Sequence, residues 1–118
     1  MIDLADIRFR VERLDGRYTG HQVFTHRARI DAMVNKVWSI YDYRQDQARA
    51  SMTAMDWFWQ TFGPTVPRNQ AMKLYWARSS RGNLDELVNS YWSWHEDERQ
   101  IWFYMTEDGY TRFALQFQ

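Results

Sequence analysis

Gln100-Ile101-Trp102-Phe103-Tyr104-Met105-Thr106-Glu107-Asp108-Gly109-Tyr110-Thr111-Arg112-Phe113-Ala114-Leu115-Gln116-Phe117 is the stretch on which the fold reading turns. Asp-Gly is a strong signal for a two-residue hairpin, because both central residues of such a turn need positive φ. A turn at Asp108-Gly109 sets Glu107 opposite Tyr110, Tyr104 opposite Phe113, and Trp102 opposite Leu115. It gathers Trp102, Tyr104, Phe113, Leu115 and Phe117 on one face and predicts strands over 100–107 and 110–117. The first of these strands is also apolar on its other face, through Ile101, Phe103 and Met105. A strand apolar on both sides is usually covered on both sides. The functional alternative is an exposed apolar face for a partner or a dimer mate.

The other end of the chain has the same look. In Ile7-Arg8-Phe9-Arg10-Val11-Glu12 apolar and charged residues alternate strictly, the period of a half-buried strand. Asp15-Gly16 follows, and a weaker return strand is read from Tyr18 to Phe24, bent at Gly20.

Between the hairpins the spacing is helical. Thr25 is placed to cap a helix carrying Ile30, Met33, Val34, Val37, Trp38 and Tyr41 as one stripe. The stripe lapses through 44–47 and resumes with Ala48, Met52, Met55, Trp59 and Phe62, so a kink is expected near 43–47. Gly63-Pro64 ends it. A shorter helix is read from Thr65-Val66-Pro67 to about Arg78, burying Ala71, Met72, Tyr75 and Trp76, followed by a loop at 79–82. Asn83-Leu84-Asp85-Glu86 resembles a capping box, and Leu84, Leu87, Val88, Tyr91, Trp92 and His95 repeat the stripe. Glu96-Asp97-Glu98 oppose the helix dipole, which stops that helix near His95. The expected architecture is a single α+β domain over 1–118 in the order ββ-αααα-ββ. Its N- and C-terminal hairpins share one antiparallel sheet, packed on a central group of three to four helices.

Composition narrows the function. The 118 residues include seven each of Trp, Tyr and Phe, which argues against disorder despite a mean hydropathy of −0.70. There is no cysteine, which removes disulfide scaffolds, thiolate metal sites and a cysteine nucleophile. Of the 15 basic residues only Lys36 and Lys73 are lysine, and Arg with aromatics is the composition of contact surfaces. Net charge is zero, yet residues 1–82 carry +5 and residues 83–118 carry −5, a split that either steers a partner or draws the two halves together. No apolar run approaches the ~20 residues of a membrane span. The acidic start lacks the pattern of a signal peptide. A soluble, cytoplasmic protein with no membrane partner is expected.

Candidate contact residues stand out by position. Trp57 and Trp94 lie about 200° around their helices from Met55 and Trp92, and Tyr43 stands similarly to Tyr41. Trp, Tyr and Arg are enriched at binding hot spots, so Trp57, Trp94, Tyr43, Ile101, Phe103 and Met105 form the expected partner-binding set. Arg8 and Arg10 on the outer hairpin face, with Arg78 and Arg81 at a loop, form the set for a second reading, a nucleic-acid-binding module. A sequence pI of 6.8 counts against that reading. The histidines His21, His26 and His95 make no local metal pair, and neither a Gly-rich phosphate loop nor a nucleophile motif occurs. No metal or cofactor is expected. The leading expectation is a non-enzymatic protein–protein interaction domain, a small inhibitor or adaptor of a style found among viral proteins. A third reading is a small ligand-binding or enzymatic domain with an aromatic pocket between sheet and helices.

Overall fold

A computed structural model describes residues 4, 7–18, 23–33, 43–73, 89–97 and 100–117. It is α+β. Strand β1 (Ile7–Arg13) pairs with β2 (His26–Met33); helix α1 (Tyr43–Phe62) follows; then come β3 (Trp92–Asp97), β4 (Gln100–Met105) and helix α2 (Glu107–Phe117). Residues 68–73 are also helical. The strands form one antiparallel sheet in the order β1-β2-β4-β3. The single antiparallel sheet and the α+β class are as expected from the sequence; the element order ββ-αααα-ββ is not.

Strand β1 follows its alternation: Ile7 is buried, Phe9 and Val11 pack against the core, and Arg8 and Arg10 are exposed. Its partner is a correction. The strand that pairs with β1 is His26–Met33, in the segment whose stripe predicts the start of a helix; of the expected return strand Tyr18–Phe24, residues 19–22 lie outside the described residues. His26, Ala28 and Ile30 are buried while Arg27 and Arg29 face outward. A period of two therefore competed there with the stripe, and burial against the sheet favoured the strand. The turn at Asp15-Gly16 exists, with Asp15 accepting from the Arg17 amide at 3.1 Å, but the connection runs on to Thr25. Leu14 N–H donates to Thr25 O at 2.8 Å, and buried Phe24 anchors the returning chain. Of the first stripe, Val34, Val37, Trp38 and Tyr41 lie outside the described residues.

Helix α1 ends where the sequence said it would. Gly63 has φ 92°, the left-handed cap that costs glycine least, and its N–H donates to Trp59 O at 2.8 Å. Asn89 completes this end: its Nδ2 donates to the carbonyls of Phe62 at 2.9 Å and Pro64 at 3.1 Å. The face that α1 buries matches the predicted stripe at Phe62 and, in part, at Met55, and departs from it elsewhere. Ala50, Ala54, Phe58 and Phe62 are buried at a spacing of four, whereas Ala48, Met52 and Trp59 are exposed. Ala50, Ala54 and Phe58 join Ala28 and Ile30 of β2 in the main buried cluster.

The largest corrections are at the C-terminus. Trp92–Asp97, read as the end of a helix, is strand β3, and it forms the second hairpin with β4. Residues 107–117 are helix α2, so the pairing of Tyr104 with Phe113 and of Trp102 with Leu115 does not occur. Thr106 is the N-cap: its Oγ1 accepts from Gly109 N–H at 3.3 Å, and Glu107 and Asp108 occupy the first turn, where the dipole favours acids. Gly109 is not a turn residue. It lets the first turn of α2 lie against β3, since a Cβ there would collide with the Tyr91 carbonyl oxygen. Phe113 is buried, Phe117 packs beside it, and Leu115 is 83% exposed.

Helices α1 and α2 cover one face of the sheet. Phe58 is the keystone: its ring stacks on Phe103 at 4.6 Å and on Trp92 at 5.2 Å, and lies 5.8 Å from Phe113 of α2. On the opposite, outer face a smaller cluster forms from Phe24, Met72 and Tyr104, with Leu14, Val23 and Trp102 against it. The capping box at 83–86 and the stripe residues Tyr75, Trp76, Leu84, Leu87 and Val88 lie outside the described residues.

Candidate functional site

The outer face of the sheet carries the polar cleft. Strand alternation turns Arg27 and Arg29 of β2, Trp102 and Tyr104 of β4, and His95 and Asp97 of β3 toward it. The register then aligns them. Glu12 lies opposite Arg27, Arg27 opposite Tyr104, and Tyr104 opposite Ser93, a row across all four strands. In the next row Arg10 is opposite Arg29 and Trp102 opposite His95. Arg68 comes from outside the sheet. Pro67 forms a parallel bridge with Trp94, and Ser93 Oγ donates to Val66 O at 2.6 Å. Those contacts lay the chain along the edge of β3 and deliver Arg68 to the outer face. Tyr18, Arg27, Arg68, His95, Asp97, Trp102 and Tyr104 line the resulting cleft of about 510 Å³.

Two guanidiniums meet on one hydroxyl there. Arg68 Nη1 donates to Tyr104 Oη at 2.7 Å, and Arg27 Nη1 approaches the same oxygen at 3.5 Å, a long contact. Arg68 also lies over the Tyr104 ring at 5.0 Å. Arg27 sits over Trp102 at 4.0 Å, with Arg29 at 5.7 Å from the same ring. Such cation–π contacts contribute about 0.5–1 kcal/mol in partly wet sites. Arg27 also pairs with Glu12 at 2.8 Å. Burial works against the Arg27 charge, but hydrogen bonds to Tyr104 and Glu12 more than offset it, and its pKa is raised. Arg68 makes no ion pair among the described residues; its Nε and Nη2 hold Asn69 Oδ1 at 3.3 and 2.9 Å.

His95 is pushed below the ordinary histidine value, first by burial and then by the neighbouring Arg68 charge, while Asp97 pulls the other way. Its imidazole is therefore neutral at pH 7 and offers one N–H and one lone pair. Ser93, opposite Tyr104 in the sheet, is fully buried and its hydroxyl donates to Val66 O. Chemically the cleft presents fixed donors and aromatic walls, which suit an anion.

The sequence-based candidates fall elsewhere. Trp57 is half-buried on α1, its ring 4.9 Å from Phe117 and 5.0 Å from Phe58. Trp94 is half-buried against the main core. Phe103 and Met105 are fully buried beneath the helices; Ile101 packs beside them, half-buried. Tyr43 is the first residue of α1, and its side chain is not among those described. Arg8 and Arg10 are exposed on the outer face, beside the cleft rather than in it. Arg78, Arg81 and His21 lie outside the described residues.

Sequence reasoning missed Arg27, Arg68, Trp102 and Tyr104 as a site. The available signal was the alternation of Arg27 and Arg29 with Ala28 and Ile30, which the helical stripe concealed. Arg68 carries no local signal, because contacts of Val66 and Pro67 with β3, distant in sequence, bring it in.

Among the described residues no group of three or more His, Asp or Glu side chains could hold a metal ion, and no helix is long and apolar enough to cross a membrane. Comparison with protein-family models, with curated proteins and with solved structures finds no match.

Proposed function

We propose that this protein is a non-enzymatic ligand-binding domain whose outer-face cleft captures an organic anion. The observation that carries the reading is the convergence of Arg27 and Arg68 on the Tyr104 hydroxyl inside a cleft walled by Trp102 and Tyr18. The donors are held in place before any ligand arrives, Arg27 by Glu12 and Arg68 by Asn69, so little side-chain entropy is lost on binding. A concave site with a few convergent polar groups and aromatic walls is the usual form of a small-molecule site.

The test is thermal unfolding with a panel of benzoate, phenyl phosphate, citrate and uncharged benzyl alcohol. A ligand at a hundred times its Kd adds about 2.7 kcal/mol to stability. At least one anion is expected to raise Tm while benzyl alcohol does not, and Arg68→Ala is expected to abolish the rise. No shift with any anion, or a shift that survives Arg68→Ala, would contradict the reading.

A protein partner, with an inhibitor or adaptor role, is the second reading, and one observation favours it. Met52 and Trp59 on the outer side of α1 are 68% and 45% exposed, and at a spacing of seven they share one side of the helix. If α1 is the contact, a Trp59→Ala, Met52→Ala double variant loses partner capture while its fold is unchanged. Capture that survives the double variant would sink this second reading.

A further inference from the structure

The hydrogen-bonding pattern of the two guanidiniums narrows the anion. Each fork has its outer edge filled: Arg27 Nε and Nη2 by Glu12 Oε2, at 2.9 and 2.8 Å, and Arg68 Nε and Nη2 by Asn69 Oδ1. Each directs Nη1 at Tyr104 Oη. An Nη group carries two hydrogens, so one N–H on each remains after the Tyr104 contact. Both Nη1 atoms touch one oxygen, so they lie within about 6 Å of each other, and two like charges that close repel. Glu12 offsets the Arg27 charge, whereas the hydrogen-bond partners of Arg68 among the described residues, Asn69 and Tyr104, are neutral. The His95 ring lines the same cleft. Among the described residues Asp97 is the one carboxylate in the lining, and it is exposed, so water and salt screen it.

A carboxylate sets two oxygens close together in a plane and fits one guanidinium side-on. A phosphate monoester spreads three oxygens and carries close to two negative charges at neutral pH. The second offers one oxygen to each Nη1 group and one to a third donor, where a carboxylate must share an oxygen between two of them, and its second charge answers two guanidiniums rather than one. Resting on the anion-capture reading above, we propose that the ligand is an organic phosphate monoester, its phosphate held between Arg27 Nη1 and Arg68 Nη1 with His95 as a third donor. Tyr104 is a positioning residue: its hydroxyl holds the two guanidiniums together. The organic portion occupies the remainder of the cleft, along Trp102 and Tyr18.

The experiment is calorimetric titration of the full chain at pH 7.5 with three probes that share a ring: phenyl phosphate, the diester methyl phenyl phosphate, and benzoate. The monoester is expected to bind at least ten-fold more tightly than either of the others. Inorganic phosphate is expected to compete with it, a measurement that needs no variant. Arg68→Gln is expected to erase most of the preference with unfolding unchanged, and Asp97→Asn to tighten the monoester more than benzoate. Benzoate binding as well as the monoester would overturn the phosphate inference while leaving anion capture standing. The diester binding best would likewise overturn it and would favour a nucleic-acid backbone along Arg8 and Arg10. No heat from any probe, in a protein shown by melting to be folded, would overturn both.

Discussion

Phe58 and Gly109, a large ring and a bare backbone, each fix a contact between elements. Phe58 stacks on Phe103 and Trp92 and meets Phe113, joining α1, the sheet and α2 at a single ring. Phe58→Ala should cost about 3–5 kcal/mol, read as a lower denaturation midpoint. Gly109 has no room for a methyl group beside the Tyr91 carbonyl. Gly→Ala in an open helix stabilises by about 1 kcal/mol; here Gly109→Ala should instead destabilise by about 1–3 kcal/mol. Two histidines set the pH response. His26 is buried, with its pKa lowered chiefly by burial, opposed by Glu107 and aided by Arg13; its ring stacks on Tyr110 at 3.8 Å. His95 is lowered for the reasons given above. A base with a depressed folded pKa binds protons more readily when unfolded, so stability is full above the unfolded value of 6.5 and declines as pH falls below it toward the folded pKa. Thermal unfolding should therefore show Tm falling between pH 7.5 and 5.5. A His26→Gln, His95→Gln double variant should flatten that fall; an equal slope in the variant would assign it to other groups.

At the scale of elements, the decisive segment is 107–117. As a helix it is held by the Thr106 cap, with its acidic first turn and the Phe113–Phe117 face. Thr106→Ala should cost about 1 kcal/mol. Leu115→Lys should be neutral to within about 0.5 kcal/mol, because the side chain faces water; in a strand facing Trp102 the same change would unfold the protein. The sequence held both periods here. Phe113, Leu115 and Phe117 alternate as a strand, while Gly109, Tyr110, Phe113 and Phe117 lie three to four apart as a helix. Asp108-Gly109 tipped the sequence reading toward a turn, since nothing local reveals that the glycine exists to clear Tyr91. The stretch 26–33 is ambiguous in the same way: Ile30 belongs to a helical stripe and to an alternation with Arg27, Arg29 and Asp31. Where one period dominated, as in β1 and in the C-terminal stop of α1 at Gly63-Pro64, local sequence and structure agree. The cleft was hidden because it draws on β2, β3 and β4 and on Arg68. The segments of β2 and β3 carry helical stripes, and the contact of Arg68 spans 36 residues.

For the molecule as a whole, the two faces of the sheet divide the work. The helix-covered face holds the interlocked rings, Trp57 and Trp94 among them at its margin. The outer face is more open and carries the guanidiniums, so its chemistry can vary without disturbing the core. Substitutions at Arg27, Arg68 and His95 should therefore change ligand affinity far more than they change the main hydrophobic cluster, whereas Phe58→Ala should disturb both. The most direct measurement is a two-dimensional nitrogen–proton NMR titration of the labelled full chain with phenyl phosphate. Saturable shifts are expected at the Arg27 and Arg68 Nε–H, the Trp102 indole N–H and the His95 amide, with the amides of Phe58 and Phe113 unmoved. Shifts confined to the helix-covered face, or none at saturating phenyl phosphate or benzoate, would contradict anion capture in the cleft.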